Sequence, residues 1–322
     1  MVDNNYTFLD EIRQKQGNDA LKKAFNSLFW ENRQKAIEAL NDENLRFPTF
    51  YILIAEIISM KIFYNLGARN SIAYFIINEI TQPNPNTYYL SYKNEQTHKV
   101  LHWILSTGGK EGYINADYYQ IIDIACSVLL NTYEDIEILP LVCDMIFARE
   151  KAGCYANDLV WAYFGCKDPL ALKLVAERLC SDDDRESTFA CKLLHLNEES
   201  NEAKEENYNR YLNWLNRNDP YLYFTEESNQ YSSEPVLVDV DLERKYLHKG
   251  VKSYVKEPIG DIDDTEKQCL AAFSELNESE KMVLSDYSDN LYQKDSKGWK
   301  EWLKRPINEQ VKEASSLSDG AL

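Results

Sequence analysis

The chain has 322 residues, and its hydrophobic fraction of 44% and aromatic fraction of 12% exclude a disordered protein and indicate a folded one. It contains only 11 glycines and 9 prolines, which disfavours a turn-rich β architecture and favours helices. A formal net charge of −18 opposes binding to nucleic-acid phosphates and to acidic lipid surfaces, so we expect no nucleic-acid or membrane partner and favour a basic protein.

Helical periodicity begins near residue 18 and continues to about residue 216, with short breaks between segments. In the first two segments, 18–30 and 31–41, apolar residues recur at three- and four-residue spacing. Further helices are predicted over 47–67, 70–81, 87–109, 115–131 and 133–153. This succession of helical segments predicts an all-α fold. Because the loops are short, consecutive helices should pack as antiparallel neighbours.

The most apolar segment is 47–67, with Pro48 in its first turn and Gly67 at its end. It contains Glu56 and Lys61, and each of these charges would be costly at a bilayer centre. We therefore predict a buried helix here and no membrane span. The first residues have no signal-peptide pattern and the cysteine count of 7 is odd, so we expect free thiols and a cytoplasmic location.

The most regular part of the chain comprises segments 157–165, 169–180 and 184–196. The Asp168-Pro169 pair is a typical helix start, and an acidic first turn opens the next helix. The sequence "DPLALKLVAERL" followed by "SDDDRESTFACKLL" resembles the HEAT-type helical repeat. The resemblance implies an α-solenoid, with an irregular antiparallel helical array as the alternative, and it implies no activity.

From residue 217 the sequence becomes polar, acidic and rich in tyrosine. Residues 235–242 alternate between apolar and polar side chains, which indicates a strand or an extended arm. Helical pattern returns in two or three short segments after residue 263. We therefore predict a helical-repeat domain over 1–216 and a less regular acidic extension over 217–322.

Two groups of residues invite a metal hypothesis. Cys166, Cys180 and Cys191 lie too far apart for the paired spacing of zinc ligands, and we interpret them as small core residues. The neighbouring aspartates do not continue into a calcium-binding loop. Glu95, His98 and His102 share a helix face in a spacing found in di-iron bundles. A second copy of that motif is missing from the sequence, so neither a metal nor a cofactor is predicted.

The sequence contains none of the glycine-rich phosphate-binding motifs or the GxSxG nucleophile motif. A cysteine–histidine pair assembled in space remains open as an alternative, but no cysteine is distinguished from the others. We therefore expect a protein that is not an enzyme. An enzyme on nucleic acid is a weak third hypothesis, because the chain lacks positive charge.

Aromatic residues are numerous, with 22 Tyr, 12 Phe and 6 Trp. Tyrosine and tryptophan are enriched at binding hot spots, although each ring also fits a role in the core. The candidate protein-binding residues are Tyr88, Tyr92, Trp161, Tyr163, Trp299 and Trp302. The last two lie in the basic segment 298–306, which we expect to dock either on the chain itself, the favoured alternative, or on a partner.

The sequence therefore leads to one main hypothesis and one alternative. The main hypothesis is a non-catalytic interaction scaffold or adaptor that binds another protein on a helical-repeat surface. The alternative is a structural subunit of a larger assembly, such as a phage or injection-system component, whose C-terminal arm reaches into a neighbour. Self-assembly is compatible with both.

Overall fold

The computed structural model describes residues 6–82, 89–196, 203–227, 232, 235–251 and 253–318. Across these residues it contains eighteen α-helices and one small antiparallel sheet, so the predicted all-α class is confirmed. The chain divides into two compact units, residues 1–166 and 167–322. Among the described residues, no helix is both long and apolar enough to cross a membrane.

The described part of the first unit consists of ten helices. They are α1 (Phe8–Gln16), α2 (Asn18–Glu31), α3 (Arg33–Leu40), α4 (Phe47–Ile52), α5 (Ile54–Ser59), α6 (Ala68–Thr81), α7 (Glu95–Gly108), α8 (Ala116–Asn131), α9 (Leu139–Lys151) and α10 (Asn157–Gly165). Short 3₁₀ turns at Phe63–Asn65 and Ile136–Ile138 precede α6 and α9.

Helix α8 lies at the centre of this unit and packs against α6, α7 and α10. Its Tyr118 is fully buried and donates a hydrogen bond of 2.9 Å to the carbonyl oxygen of Gly108, at the end of α7. The ring stacks on Phe47 of α4, with the centroids 5.6 Å apart. A Cβ at position 108 would lie 2.6 Å from the Tyr118 hydroxyl, so glycine permits this close approach.

Three predicted helices differ from the observed ones at identifiable positions. Segment 47–67 begins with Pro48 in the first turn, as predicted, but divides into α4, α5 and a 3₁₀ turn. The helix predicted from 87 begins at Glu95, because the Asn94 side chain accepts hydrogen bonds from the next free backbone N–H groups. Segment 133–153 is divided before Pro140, which occupies the first turn of α9.

The described part of the second unit consists of eight helices and two strands. They are α11 (Pro169–Glu177), α12 (Asp184–Leu193), α13 (Lys204–Asn218), β1 (Leu222–Phe224), β2 (Val238–Val240), α14 (Leu242–Tyr246), α15 (Asp264–Ser274), α16 (Glu278–Lys294), α17 (Ser296–Leu303) and α18 (Ile307–Ser318). Turns of 3₁₀ helix lie at Arg178–Cys180 and Asp219–Tyr221.

The strand predicted within 235–242 is observed as β2, which pairs with β1 in antiparallel register. Helix α16 packs against α14, α17 and α18 around a core that contains Tyr246, Phe273 and Leu284. The division of contacts at 166/167 lies earlier in the chain than the domain boundary predicted at 216/217. Helix α11 packs against α12 and α13, and α13 continues through the predicted boundary at 216/217.

Candidate functional site

The six candidate residues from the sequence differ in exposure. Tyr88 lies outside the described residues. Tyr92 and Trp161 are exposed, with 69% and 46% of their surface accessible. Tyr163 is fully buried on the inner face of α10, so its ring packs in the core and presents no surface to a partner.

Trp299 and Trp302 are core residues of the second unit. Trp299 donates its indole N–H to the Ser288 hydroxyl at 2.8 Å, and its ring meets Tyr292 edge-on. Trp302 is 2% exposed and packs against Tyr246. The basic segment 298–306 therefore places both indole rings in the chain's own core, and among the described members of the predicted set Tyr92 and Trp161 are exposed.

The residues of the metal hypothesis have other partners. The Nε2 atom of His98 lies 2.9 Å from Oδ2 of Asp135, and Glu95 pairs with Lys99 at 2.6 Å. No group of three or more histidine, cysteine or acidic side chains arranged to hold a metal occurs in the part of the chain that the structure describes. All seven cysteines are free thiols.

Large aromatic side chains are exposed across the first unit. The exposed ones among its described residues are Phe8, Trp30, Tyr64, Phe75, Tyr92, Tyr113, Tyr155 and Trp161. Scattered exposed apolar residues are normal, whereas a group of aromatic rings around a concave surface is typical of a binding site.

We use the name aromatic strip for four side chains of this unit: the exposed Tyr113, Tyr155 and Trp161 and the half-buried Tyr119. The rings of Tyr113 and Tyr119 meet edge-on with centroids 5.2 Å apart. The Tyr155 hydroxyl donates to Oδ1 of Asp158 at 3.0 Å. Trp161 lies three residues after Asp158 on α10, and residues at this spacing are neighbours on a helix face.

Arg149 of α9 contacts two residues of the strip, Tyr119 and Tyr155. Its guanidinium carbon lies 3.9 Å from the centroid of the Tyr119 ring, a cation–π contact. The same guanidinium donates to the carbonyl oxygen of Tyr155 at 3.3 Å. A single side chain, 6% exposed, therefore positions both tyrosines.

The position of Arg149 is set by a buried ion pair with Asp123 of α8. One guanidinium nitrogen lies 2.6 Å from Oδ1 of Asp123 and another lies 3.0 Å from Oδ2. Burial raises the pKa of the Asp123 carboxyl, and the hydrogen bond and charge of Arg149 oppose that rise. One hydrogen bond and one further charge contact therefore hold the guanidinium beside Asp123.

A cleft of about 350 Å³ lies beside the strip. Tyr113 and Tyr119 line it together with the apolar side chains of Met145, Ala148 and Ala152. An ion pair of 3.1 Å between Lys110 and Asp144 lies at its edge. The volume falls in the range of pockets that accept a small ligand or one anchoring side chain of a protein partner.

The part of the chain that carries the strip is strongly acidic. Residues 111–158 contain nine acidic side chains against two basic ones, Arg149 and Lys151. The acidic side chains are Glu111, Asp117, Asp123, Glu134, Asp135, Glu137, Asp144, Glu150 and Asp158. Since Arg149 is buried against Asp123, its charge is neutralised within the unit, and this segment keeps a surplus of negative charge.

The sequence prediction included Trp161 but missed Tyr113, Tyr155 and Arg149. Tyr113 follows Gly112 and Tyr155 follows Gly153-Cys154, so both rings occur in loops, where an aromatic side chain has no periodic core position. An aromatic residue in a predicted loop is therefore the signal by which the sequence could have indicated Tyr113 and Tyr155. Nothing in the sequence identifies Arg149, because its role depends on packing between α8 and α9.

Comparisons of this chain with protein-family models, with curated proteins and with solved structures found no match. The class of the molecule is therefore given by its fold: it is an all-α protein of two compact units. Because unrelated functions share helical folds, the function must be argued from the site.

Proposed function

We propose that this chain is a non-catalytic interaction scaffold that binds another protein through the aromatic strip and the adjoining cleft. The observation that carries the proposal is the set of exposed rings Tyr113, Tyr155 and Trp161, which are 64%, 57% and 46% exposed, together with the 350 Å³ cleft that Tyr113 lines. Tyrosine and tryptophan bury a large area at small entropic cost, and such residues dominate binding hot spots.

The helix packing supports a helical-repeat scaffold of the HEAT type. Helix α8 packs against α7, its neighbour in the chain, and also against α6 and α10, the helices two positions away. Stacked helix pairs make these two kinds of contact in repeat proteins. The same pattern connects α11 with both α12 and α13 in the second unit.

The expected partner is a basic protein in the cytoplasm. The chain carries 53 acidic against 35 basic residues, so a basic surface gains favourable electrostatic steering. Seven free thiols are compatible with a reducing compartment. The proposal assigns no catalytic residue and needs no cofactor.

The proposal is tested by affinity purification from native lysate with quantitative mass spectrometry, comparing the wild-type chain with Trp161→Ala and Tyr113→Ala. We expect a stoichiometric partner that is reduced about tenfold with each variant, as for loss of one hot-spot side chain. Trp30→Ala is the matched control, because Trp30 is 81% exposed on α2 and is not part of the strip.

Equal recovery of every protein by wild type and by Trp161→Ala would overturn the proposed role of the strip. Sedimentation of the purified chain distinguishes the structural-subunit alternative. A monomer at high concentration agrees with the scaffold, and concentration-dependent self-association that Trp161→Ala leaves unchanged favours the subunit.

A further inference from the structure

Two histidines of the first unit lie one turn apart on α7. His98 and His102 are four residues apart, a spacing that places both side chains on one face of the helix. The centroids of their rings are 6.4 Å apart, and the ring planes are inclined by 58°. His102 is exposed and His98 is half-buried. Zinc-binding helices of the HExxH type carry their two histidine ligands at this spacing, so it permits both imidazoles to bind one ion.

The ring of His98 is held by a carboxylate from the turn that follows α8. Its Nε2 atom lies 2.9 Å from Oδ2 of Asp135, whose side chain is 10% exposed. A carboxylate only accepts hydrogen bonds, so this contact places a proton on Nε2 and leaves the lone pair of the neutral ring on Nδ1. A histidine that binds a metal characteristically donates its other ring N–H to a carboxylate or a carbonyl oxygen. Asp135 therefore gives His98 the tautomer of a metal ligand.

Tyr133 is a second neighbour that fixes the position of His98. The centroids of the two rings are 4.8 Å apart. The Tyr133 hydroxyl accepts from the backbone N–H of Asn94 at 2.9 Å and donates to the Asn94 carbonyl oxygen at 3.0 Å. Because Asn94 caps α7, these bonds connect the turn after α8 to the start of the helix that carries both histidines. His98 is thus positioned in the absence of a ligand, which lowers the entropic cost of binding one.

The charges next to the two histidines do not oppose a cation. The two lysines within residues 92–102 are each paired with a glutamate, Lys99 with Glu95 at 2.6 Å and Lys93 with Glu134 at 3.6 Å. The carboxylate of Asp135 has His98 as its partner. Among the described residues, the His98 ring makes this one hydrogen bond and the His102 ring makes none. The negative charge of Asp135 therefore lies beside the proposed ligands.

The chemistry of imidazole selects the class of ion. Neutral imidazole suits Zn²⁺, Cu²⁺ and Ni²⁺, whereas Mg²⁺ and Ca²⁺ take oxygen ligands. Nitrogen–zinc bonds are about 2.0–2.1 Å long, so one ring must turn towards the other to share an ion. His102 is exposed and therefore able to rotate. Two protein ligands leave the remaining positions of the ion to water.

We propose that His98 and His102 form a surface site for a divalent transition-metal ion of the zinc class, with Asp135 as the positioning residue of His98. The bound ion links successive turns of α7 and, through Asp135, the turn after α8. An ion that binds the folded chain more tightly than the unfolded chain also stabilises the first unit. The site goes beyond the proposed function, since it needs no residue of the aromatic strip and no protein partner.

The test is a titration of the full chain with ZnCl2 in a phosphine reductant, followed by the NMR signals of the imidazole C–H groups. The chain has 4 histidines, so single-site variants assign every signal. We expect the signals of His98 and His102 to shift and saturate, and those of His195 and His248 to stay in place. Zinc bound at a cysteine elsewhere does not produce this pattern. MgCl2 should shift none of the four.

Two variants separate the ligands from the positioning residue. His102→Ala should weaken the zinc response of His98 about tenfold or more, because one of two protein ligands is lost. Asp135→Ala should weaken it about tenfold, as for loss of the carboxylate behind a ligand. In the ion-free chain, the ¹⁵N shifts of His98 should report the Nε2–H tautomer, and Asp135→Ala should reduce its population.

His195→Ala is the matched control, because His195 is an exposed histidine of the second unit, and it should change the affinity less than about twofold. The proposal is overturned if zinc shifts neither His98 nor His102, or if His98 titrates equally in wild type and His102→Ala. An unchanged His98 tautomer and affinity in Asp135→Ala would exclude the positioning role. Circular dichroism of each variant establishes that the helices are intact when the affinity is measured.

Discussion

Asp10 shows how one residue connects parts of the first unit that are distant in sequence. It is fully buried and accepts hydrogen bonds from the hydroxyls of Thr7 at 2.7 Å and Thr49 at 2.5 Å. The Thr49 oxygen also accepts from Nε of Arg13, which pairs bidentately with Glu111 at 2.8 and 2.9 Å. The network therefore joins α1, α4 and the segment before α8. The donors around Asp10 offset the cost of burying its carboxylate, so loss of any one of these hydrogen bonds destabilises the first unit.

Asp10→Asn should lower the free energy of unfolding of the first unit by about 2–4 kcal/mol. The amide replaces one accepting oxygen by a donor that faces other donors, so buried hydrogen bonds are lost. Urea denaturation followed by circular dichroism measures the change. Asp19→Asn, the same substitution at an exposed first-turn position of α2, should change stability by less than about 0.5 kcal/mol. Equal effects of the two substitutions would contradict the role given to the buried network.

At the scale of elements, the starts of the helices follow from local chemistry. Asp168 accepts from the backbone N–H of Leu170 at 2.8 Å, with Pro169 in the first turn of α11, as the sequence predicts. Asp183 caps α12 in the same way. The aromatic-rich segment before Asn94 continues the helical pattern, so periodicity alone predicted a helix from residue 87. It did not locate the true start of α7 after the Asn94 cap. Local hydrogen bonds of the cap residue therefore decide where α7, α11 and α12 begin.

Asp168→Ala should destabilise the second unit by about 1 kcal/mol, because it removes the acceptor for one free N–H group of α11. Asp182→Ala is the matched control, since Asp182 is exposed in the same stretch and lies outside α12 and its cap, and it should have an effect below about 0.5 kcal/mol. Hydrogen exchange of the α11 amides measures the difference. If exchange in α11 accelerates equally in both variants, the capping role is wrong.

At the scale of the whole molecule, tyrosine burial couples stability to alkaline pH. Tyr118 in the first unit and Tyr211, Tyr221 and Tyr246 in the second are at most 5% exposed. Burial raises the pKa of all four phenols well above the ordinary value of 10.0. The folded chain therefore keeps these hydroxyls protonated at a pH at which the unfolded chain ionises them.

The free energy of unfolding should therefore be unaffected by these groups below pH 10 and should fall as the pH rises above it. Each of the four tyrosines contributes a slope of about 1.4 kcal/mol per pH unit to the unit that contains it. Denaturation at a series of pH values, with phenolate absorbance recorded in parallel, measures this. Tyr211→Phe keeps the ring and removes the ionisable hydroxyl, so it should reduce the slope for the second unit. An unchanged slope in that variant would exclude the assignment to Tyr211.

Much of the fold was predictable, because helical periodicity, capping residues and scarcity of glycine and proline are local properties of the chain. The candidate site was less predictable. Trp161 was predicted and is exposed, whereas Tyr163, two residues further on, is buried, and the sequence around the two does not distinguish them. The facing element decides which ring is covered: α10 presents its Tyr163 side to the core as it packs on α8 and α9.

The sequence by itself determined the all-α class, the positions of most helices and the strongly acidic character, because each depends on composition or on neighbours within a few residues. Only the tertiary structure decided which aromatic rings reach solvent and that Arg149 contacts both Tyr119 and Tyr155. These features depend on contacts between residues far apart in the chain, where side chains from several elements compete for the same buried volume.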